Sequence, residues 1–332
     1  MRVGIAGLDS FFFSQMYTGA LQSIPGIEVA GCTTLGVSED EIVNNAGLTS
    51  AEFGAKFNIP VYSQLEELLE KEKIDAVCIT TRPTAIPGIM KKLAESGIHV
   101  FASKPVAVHA EGLQVLESIA KSSSTVVSAG LTARFEPAFI QARERVRNGD
   151  IGAPTAIRVL HQHGMLKFWP AKSWYYEEAE GGIEHFLAWY CLDLLRWFSD
   201  QEIVQIYGFA GKTVDHESPH ADVLKAVCRM SSGTLGSFDV LFNVSYPYPS
   251  NEIEIIGTHG AIRVQQDQAD GQVFTKDGRQ SFGRTNPDTL TGELAAWAAA
   301  CRGESQRCID LPAIVQLVKS SLSLREHLSS QR

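Results

Sequence analysis

What this chain lacks narrows its class before any motif is read. No apolar run approaches the roughly 18 to 20 residues that a helix needs to cross a bilayer, so no membrane partner is expected. Positive charge is in deficit: 29 Lys and Arg stand against 38 Asp and Glu, a formal net charge of −9. A nucleic-acid surface needs the opposite balance, because cationic side chains must displace the counterions of the phosphate backbone. Cysteine is sparse and unpatterned. Cys32, Cys78, Cys191, Cys228, Cys301 and Cys308 show no CxxC spacing, which argues against a zinc ribbon or a redox pair. They read as reduced, mostly buried thiols of a cytoplasmic protein. The apolar pattern starts at once with Met1-Arg2-Val3-Gly4-Ile5-Ala6-Gly7, leaving no room for a signal peptide before the first strand. Neither an internal repeat nor a low-complexity tract is present.

What remains is a globular composition. Hydrophobic residues make up 44 % and charged residues 20 %, enough apolar side chain for a sizeable core. At 332 residues the chain is about twice a usual single-domain length, so two domains are expected. Over residues 1–128 short β-branched runs alternate with helical stretches. Strands are predicted at Arg2–Ala6, Gly26–Cys32, Ile74–Thr80, His99–Ala102 and Thr125–Ala129, with helices near Ser10–Ser23, Ser63–Glu72 and Ile86–Ser96. That alternation implies right-handed crossovers and a doubly wound, Rossmann-type parallel sheet, with ligands at the carboxyl ends of its strands. From residue 129 the rhythm changes. Helices at Pro137–Asn148 and Gly181–Ser199 are followed by turn-separated alternating segments, and helices near Thr291–Cys301 and Leu311–Leu328 close the chain. Residues 129–332 are therefore expected to form an α+β domain with a large, mainly antiparallel sheet and helices on one face.

The strand ends nominate cofactor contacts. Gly7, Leu8, Asp9, Ser10, Phe11 and Phe12 follow the first strand, Thr33 and Thr34 the second, Thr80, Thr81 and Arg82 a third, and Ser103 and Lys104 the next. Gly7 fits the first glycine of the GxGxxG fingerprint, but Asp9 and Phe12 hold the other two positions. The Asp9 carboxylate would repel a pyrophosphate; its plain structural reading is a cap on the following helix. No carboxylate follows Cys32 to bind a ribose 2′-hydroxyl, and no arginine to bind a 2′-phosphate, so NAD and NADP both stay open.

Ser103-Lys104-Pro105 ends a strand on a lysine at the expected ligand edge. With this segment the chain resembles the Gfo/Idh/MocA oxidoreductases, whose hallmark is a Glu-Lys-Pro strand end. Only the Glu is replaced here. Arg134-Phe135-Glu136-Pro137, Asn148-Gly149-Asp150-Ile151-Gly152, the stretch Trp174 to Gly182, and Asn251 to Gly260 follow the family pattern in order. The family's catalytic helix usually reads Asp-x-Gly-x-His-x-x-Asp. Aligned on Asp193, those positions hold Phe186, Ala188, Tyr190 and Asp193, and spacings of four and three put Phe186, Tyr190 and Asp193 on one face. Trp189-Tyr190-Cys191-Leu192 is similar to the branch containing glucose–fructose oxidoreductase and dihydrodiol dehydrogenase, where tyrosine stands in for histidine.

The resemblance implies an NAD(P)-dependent enzyme that moves hydride between nicotinamide and a hydroxyl or carbonyl carbon of a sugar, polyol or related compound. Lys104 would polarise the reacting oxygen, Tyr190 would move the proton, and Asp193 would orient substrate or Lys104. Phe186 would keep the pocket dry. His161 and His163, two apart on a predicted strand, would hydrogen-bond substrate or serve as satisfied sheet histidines. Trp174 and the neighbouring Phe168, Trp169, Tyr175 and Tyr176 would stack on a sugar or pack as a loop. A homodimer or homotetramer is implied by resemblance. Two rivals stand: a non-catalytic ligand sensor on the same fold, and a zinc hydrolase drawn from His216-Glu217-Ser218-Pro219-His220. That HExxH match needs a helix, which Pro219 would break, so no metal is expected.

Overall fold

The computed structural model describes residues 1–164, 170, 172–216, 218–244, 251–265, 270–283, 288–304 and 308–330, with backbone alone at 183–185 and 270. The chain forms two compact units. One comprises Met1–Gly130, Trp169–Gly181 and Leu290–Val318; the other comprises Leu131–Phe168, Gly182–Thr289 and Lys319–Arg332.

The first unit is built on β1 (Arg2–Ala6), α1 (Phe13–Ser23), β2 (Glu28–Thr33), α2 (Glu39–Ala46), α3 (Ser50–Phe57), β3 (Val61–Tyr62), α4 (Leu65–Glu72), β4 (Ala76–Ile79), α5 (Ile86–Glu95), β5 (His99–Ala102), α6 (Ala110–Ser122) and β6 (Val127–Ala129). Its six strands are all parallel, in the order β3-β2-β1-β4-β5-β6. Helices on both faces make the central strands apolar throughout rather than alternating, and β4 is buried at every residue. Three elements between Thr33 and Leu65 were not anticipated, although two carry sequence signals. Ser38 Oγ accepts from the Glu41 amide at the start of α2, and Thr49 and Glu52 form a capping box at the start of α3. The chain later returns to this unit because Leu294 and Trp297 of α9 (Thr289–Cys301) complete its core. The Trp297 ring lies 5.5 Å from that of Phe101 on β5.

The second unit holds α7 (Pro137–Arg147), β7 (Pro154–Gln162), α8 (Gly182–Ser199), β8 (Ile203–Gly211), β9 (Val223–Met230), β10 (Leu235–Leu241), β11 (Asn251–Gly257), β12 (Gly260–Gln265), β13 (Asp270–Thr275) and β14 (Gly278–Gly283). They form an eight-stranded sheet in the order β14-β13-β12-β11-β7-β10-β9-β8, antiparallel except where β7 and β10 run parallel. Alternation is clean on β9: Leu224, Ala226, Cys228 and Met230 face inward and Lys225, Val227 and Arg229 outward. The apolar α8 covers the inner face over β7 and β10. The outer face leaves Tyr207, Phe209, Val227 and Leu235 exposed. The last helix, α10 (Leu311–Ser329), runs from one unit into the other. All six cysteines are free, and burial pushes the thiols of Cys32 and Cys228 up to about 12 and 11. They are inert packing groups in this fold.

Candidate active site

In the first unit the site is the carboxyl edge of the parallel sheet. Gly7 follows β1 with φ of 95°. A Cβ there would lie 2.6 Å from Thr81 Cβ and 3.0 Å from the Thr80 carbonyl oxygen, so only glycine allows the turns after β1 and β4 to meet. Thr80 locks that meeting by donating its hydroxyl to the Gly7 carbonyl at 2.6 Å. The turn then runs through buried Leu8, Asp9 and Ser10. Phe12, not Asp9, is the N-cap of α1, and no side chain caps it. The capping role foreseen for Asp9 is therefore corrected: the helix begins four residues later, out of reach of its carboxyl group. Phe11 and Phe12 pack edge to face at 4.7 Å, and Phe12 stacks on Phe13 at 4.9 Å.

Among the described residues, three buried polar groups of this turn and the first turn of α1 make no hydrogen bond: the Asp9 carboxyl group, Ser10 Oγ and Ser14 Oγ. Burial pushes the Asp9 carboxyl up to about 6, against the opposing pull of Thr81 and Arg82. An orphaned buried hydroxyl costs free energy unless a partner arrives. Two such donors beside the first amides of α1 suit the phosphates of a dinucleotide, and the raised pKa of Asp9 eases protonation of the carboxyl group beside them. The turn therefore fits a nicotinamide dinucleotide. Thr33 and Thr34 end β2 with their hydroxyls turned to the fold itself, Thr33 Oγ1 accepting from the Leu35 amide and Thr34 Oγ1 donating to the Ser63 carbonyl.

Lys104 follows β5 and Ser103, joined to Pro105 by a cis peptide bond. Its side chain keeps some accessible surface, yet desolvation of the ammonium pushes its pKa down to about 7. A lysine with that proton affinity both holds and releases a proton near neutrality.

A strap from Ser173 to Gly181 binds along the same edge. Trp174 Nε1 donates to the Asp9 carbonyl at 2.8 Å, and its ring stacks on Tyr175 at 3.8 Å. The Thr84 amide and hydroxyl both donate to Glu180. Gly181 approaches so closely that a Cβ would sit 2.7 Å from a Val108 methyl. Trp174 is thus a structural tie to the nucleotide turn; its ring is 3 % exposed and presents no face to a sugar. Phe168 and Trp169 lie outside the described residues.

In the second unit the candidate groups converge on the inner face of the sheet. Phe186 is buried, and Tyr190 one turn along α8 is half-buried. The Tyr190 ring stacks on His161 of β7, with centroids 5.4 Å apart and planes 25° from parallel. His161 Nδ1 is hydrogen-bonded to Oδ1 of Asn251, its register partner on β11. Since an amide oxygen only accepts, Nδ1 carries the proton in that contact. His163 lies 6.2 Å from His161 and stacks on Phe242 at 6.0 Å.

Asp193 plays a different part from the one its motif position suggests. Both its oxygens accept from Arg134, Nε at 2.8 Å and Nη2 at 2.6 Å, and the carboxylate is 1 % exposed. This bidentate pair pins α8 to the turn before α7, so Asp193 is not available to orient Lys104 or substrate. In the sequence Arg134 reads only as part of a family motif, and its partner is 59 residues away. Glu217 of the HExxH match lies outside the described residues. His216 and His220 sit in the loop between β8 and β9 rather than on a helix. His216 Nε2 approaches Asp222 at 3.4 Å, and among the described residues no group of three potential metal ligands occurs.

Comparison with known proteins accords with both halves. A family model described as "Oxidoreductase family, NAD-binding Rossmann fold" matches residues 1–131, and one for the GFO/IDH/MocA C-terminal domain matches residues 139–263. The chain belongs to the Gfo/Idh/MocA oxidoreductase family. Among curated relatives, myo-inositol 2-dehydrogenase of Thermotoga maritima is 26 % identical over 205 residues, covering 60 % of this chain and 59 % of that protein. Trans-1,2-dihydrobenzene-1,2-diol dehydrogenase of Mus musculus is 26 % identical over 233 residues, covering 70 % of this chain and 67 % of that protein. The solved myo-inositol 2-dehydrogenase of Lactobacillus plantarum superposes with a TM-score of 0.81 at 19 % identity, covering 100 % of this chain and 98 % of that one. A likeness at that identity shows the shared fold.

Proposed function

We propose that the protein is an NAD(P)-dependent dehydrogenase or reductase acting on a CH–OH carbon of a sugar, polyol or related compound. The observation that carries this reading is Lys104, a lysine at a strand end of the nucleotide edge whose ammonium is desolvated to about 7. The curated relatives support the substrate class, since inositols and dihydrodiols are cyclic compounds with vicinal hydroxyls. The bound nucleotide supplies hydride transfer. In its ammonium form Lys104 holds a proton at Nζ, where it polarises the reacting oxygen. Tyr190 moves the hydroxyl proton at Oη. His161, fixed in one tautomer by Asn251, holds the Tyr190 ring and offers Nε2 to a substrate hydroxyl, with His163 beside it. Phe186 excludes water from the Tyr190 face of α8.

The test is calorimetry with NAD+, NADH, NADP+ and NADPH, followed by turnover on a panel of sugars and polyols. Binding with turnover of at least one polyol is expected. No heat with any nucleotide would refute the reading, and binding without turnover across the panel would favour the sensor. A cytoplasmic location is part of this reading, supported by six unpaired thiols that suit a reducing compartment. A homodimer or homotetramer through the outer sheet face is proposed from the exposed Tyr207, Phe209, Val227 and Leu235. Sedimentation of a single monomeric species at micromolar concentration would contradict it.

A further inference from the structure

Strands β2, β1 and β4 are neighbours, so the turns after them form one continuous stretch of the carboxyl edge. In such a sheet the adenosine of a dinucleotide lies along that stretch, and an acidic side chain beyond the second strand reads its ribose 2′-hydroxyl. Thr33 and Thr34 bring no carboxylate to this position, and each hydroxyl already makes one bond within the fold. After Thr34 the backbone turns sharply through Leu35 and Gly36, with φ of 57° and 75°.

The group that returns to the edge is Glu41, in the first turn of α2. Its carboxylate pairs with Arg82 Nη2, and Arg82 comes from the turn after β4, on the far side of β1. Both groups act electrostatically on the buried Asp9 after β1, Arg82 favouring its charged form and Glu41 opposing it. The ion pair thus lies across the carboxyl end of β1. Arg82 Nη1 also stands 3.4 Å from Glu177 and 3.7 Å from Glu180 of the strap. The Arg82 and Glu41 side chains are 27 % and 34 % exposed, open to a ligand.

We propose that Glu41, held over the strand edge by Arg82, is the carboxylate that reads the adenosine ribose, and that this pair selects NAD(H) against NADP(H). The inference rests on the reading that the edge binds a nicotinamide nucleotide. A ribose diol donates hydrogen bonds to a carboxylate. A 2′-phosphate brings a charge approaching −2 into a cluster where one guanidinium already faces three carboxylates. Arg82 could serve that phosphate only by leaving Glu41 unpaired beside it. The sign of the selection follows from this count of charges.

The test is titration of the wild-type protein, Glu41→Gln and Arg82→Gln with NADH and NADPH, read as dissociation constants. Adenosine 2′- and 5′-monophosphate serve as probes without the nicotinamide, and melting curves show that the variants are folded. Wild type should bind NADH about tenfold tighter than NADPH or better. Glu41→Gln should narrow that ratio roughly tenfold, mainly by tightening NADPH, because Arg82 is freed for the 2′-phosphate. Arg82→Gln should widen it, since the phosphate loses its one cation there. A wild-type preference for NADPH, or a ratio that stays within twofold in both variants, would overturn the inference while leaving the oxidoreductase reading intact. If wild type binds neither nucleotide, the reading and the inference fail together.

Discussion

The two units carry their polar groups in opposite states. On the nucleotide edge of the first unit, Asp9, Ser10 and Ser14 are buried with unpartnered oxygens. On the inner face of the second, Asp193 is held bidentately by Arg134 and His161 by Asn251. The first arrangement is costly until a ligand with phosphate oxygens arrives. The second is oriented by the protein's own side chains before any ligand binds, which is how a proton-transfer group keeps its geometry. The edge in the first unit is thus shaped to be completed, and the face in the second is shaped in advance.

The largest test of this contrast is catalytic. Lys104→Met should cut turnover by about 10² to 10⁴ if, as proposed, its ammonium polarises the reacting oxygen. The Lys104→Met/Tyr190→Phe double variant should be little worse than the worse single one, since groups acting as a unit are not additive. Steady-state kcat values for the three proteins decide it; additive losses would separate the two groups. With Lys104 at about 7, whatever depends on its ammonium should fade as pH rises through 7.

Next in size is the preorganised half. Asp193→Ala leaves Arg134, itself 15 % exposed, without its counter-charge, and should cost about 3 to 5 kcal/mol of stability. Denaturant unfolding measures this; a change below about 1 kcal/mol would mean that the pair does not pin α8. The awaiting half should respond with the opposite sign. The folded-state pKa of Asp9 is raised from 3.8 to about 6, so the folded chain binds more protons than the unfolded one between those values. Relative stability is full below pH 3.8 and is lost as pH rises through 6. Asp9→Asn should therefore stabilise the protein at pH 8 by about 1 to 3 kcal/mol and by progressively less towards pH 4. Thermal melts across that range check it, and a variant less stable than wild type at pH 8 would contradict it. The smallest effect is at His161. His161→Phe keeps an aromatic ring against Tyr190 but loses the Asn251 bond and Nε2. It should lower kcat/KM roughly tenfold, chiefly through KM, and an unchanged KM would remove His161 from substrate binding.

How far the sequence could be read follows the same divide. The parallel strands were legible because each is an uninterrupted β-branched or apolar run, and α8 because its apolar pattern is long. The two-residue β3 was too short to carry a signal. β13 and β14 hold Gly271, Gly278 and Gly283 and no apolar alternation, so their pairing rests on the neighbouring strand rather than on their own pattern. α2 and α3 were legible in principle through Ser38-x-x-Glu41 and Thr49-x-x-Glu52. Lys104 could be singled out by its position at a strand end, and Tyr190 by the resemblance of its helix to the family's catalytic helix. Tertiary pairs were hidden: nothing in the order of residues says that Asp193 is held by Arg134, that Trp174 ties to the Asp9 carbonyl, or that Arg82 reaches Glu41 across β1.

The most direct test of the account is turnover of the Tyr190→Phe protein, with nucleotide affinity measured on the same sample. The account predicts a loss of about 10² to 10⁴ in kcat with the nucleotide dissociation constant nearly unchanged. Turnover close to wild type would contradict it and take Tyr190 out of the mechanism.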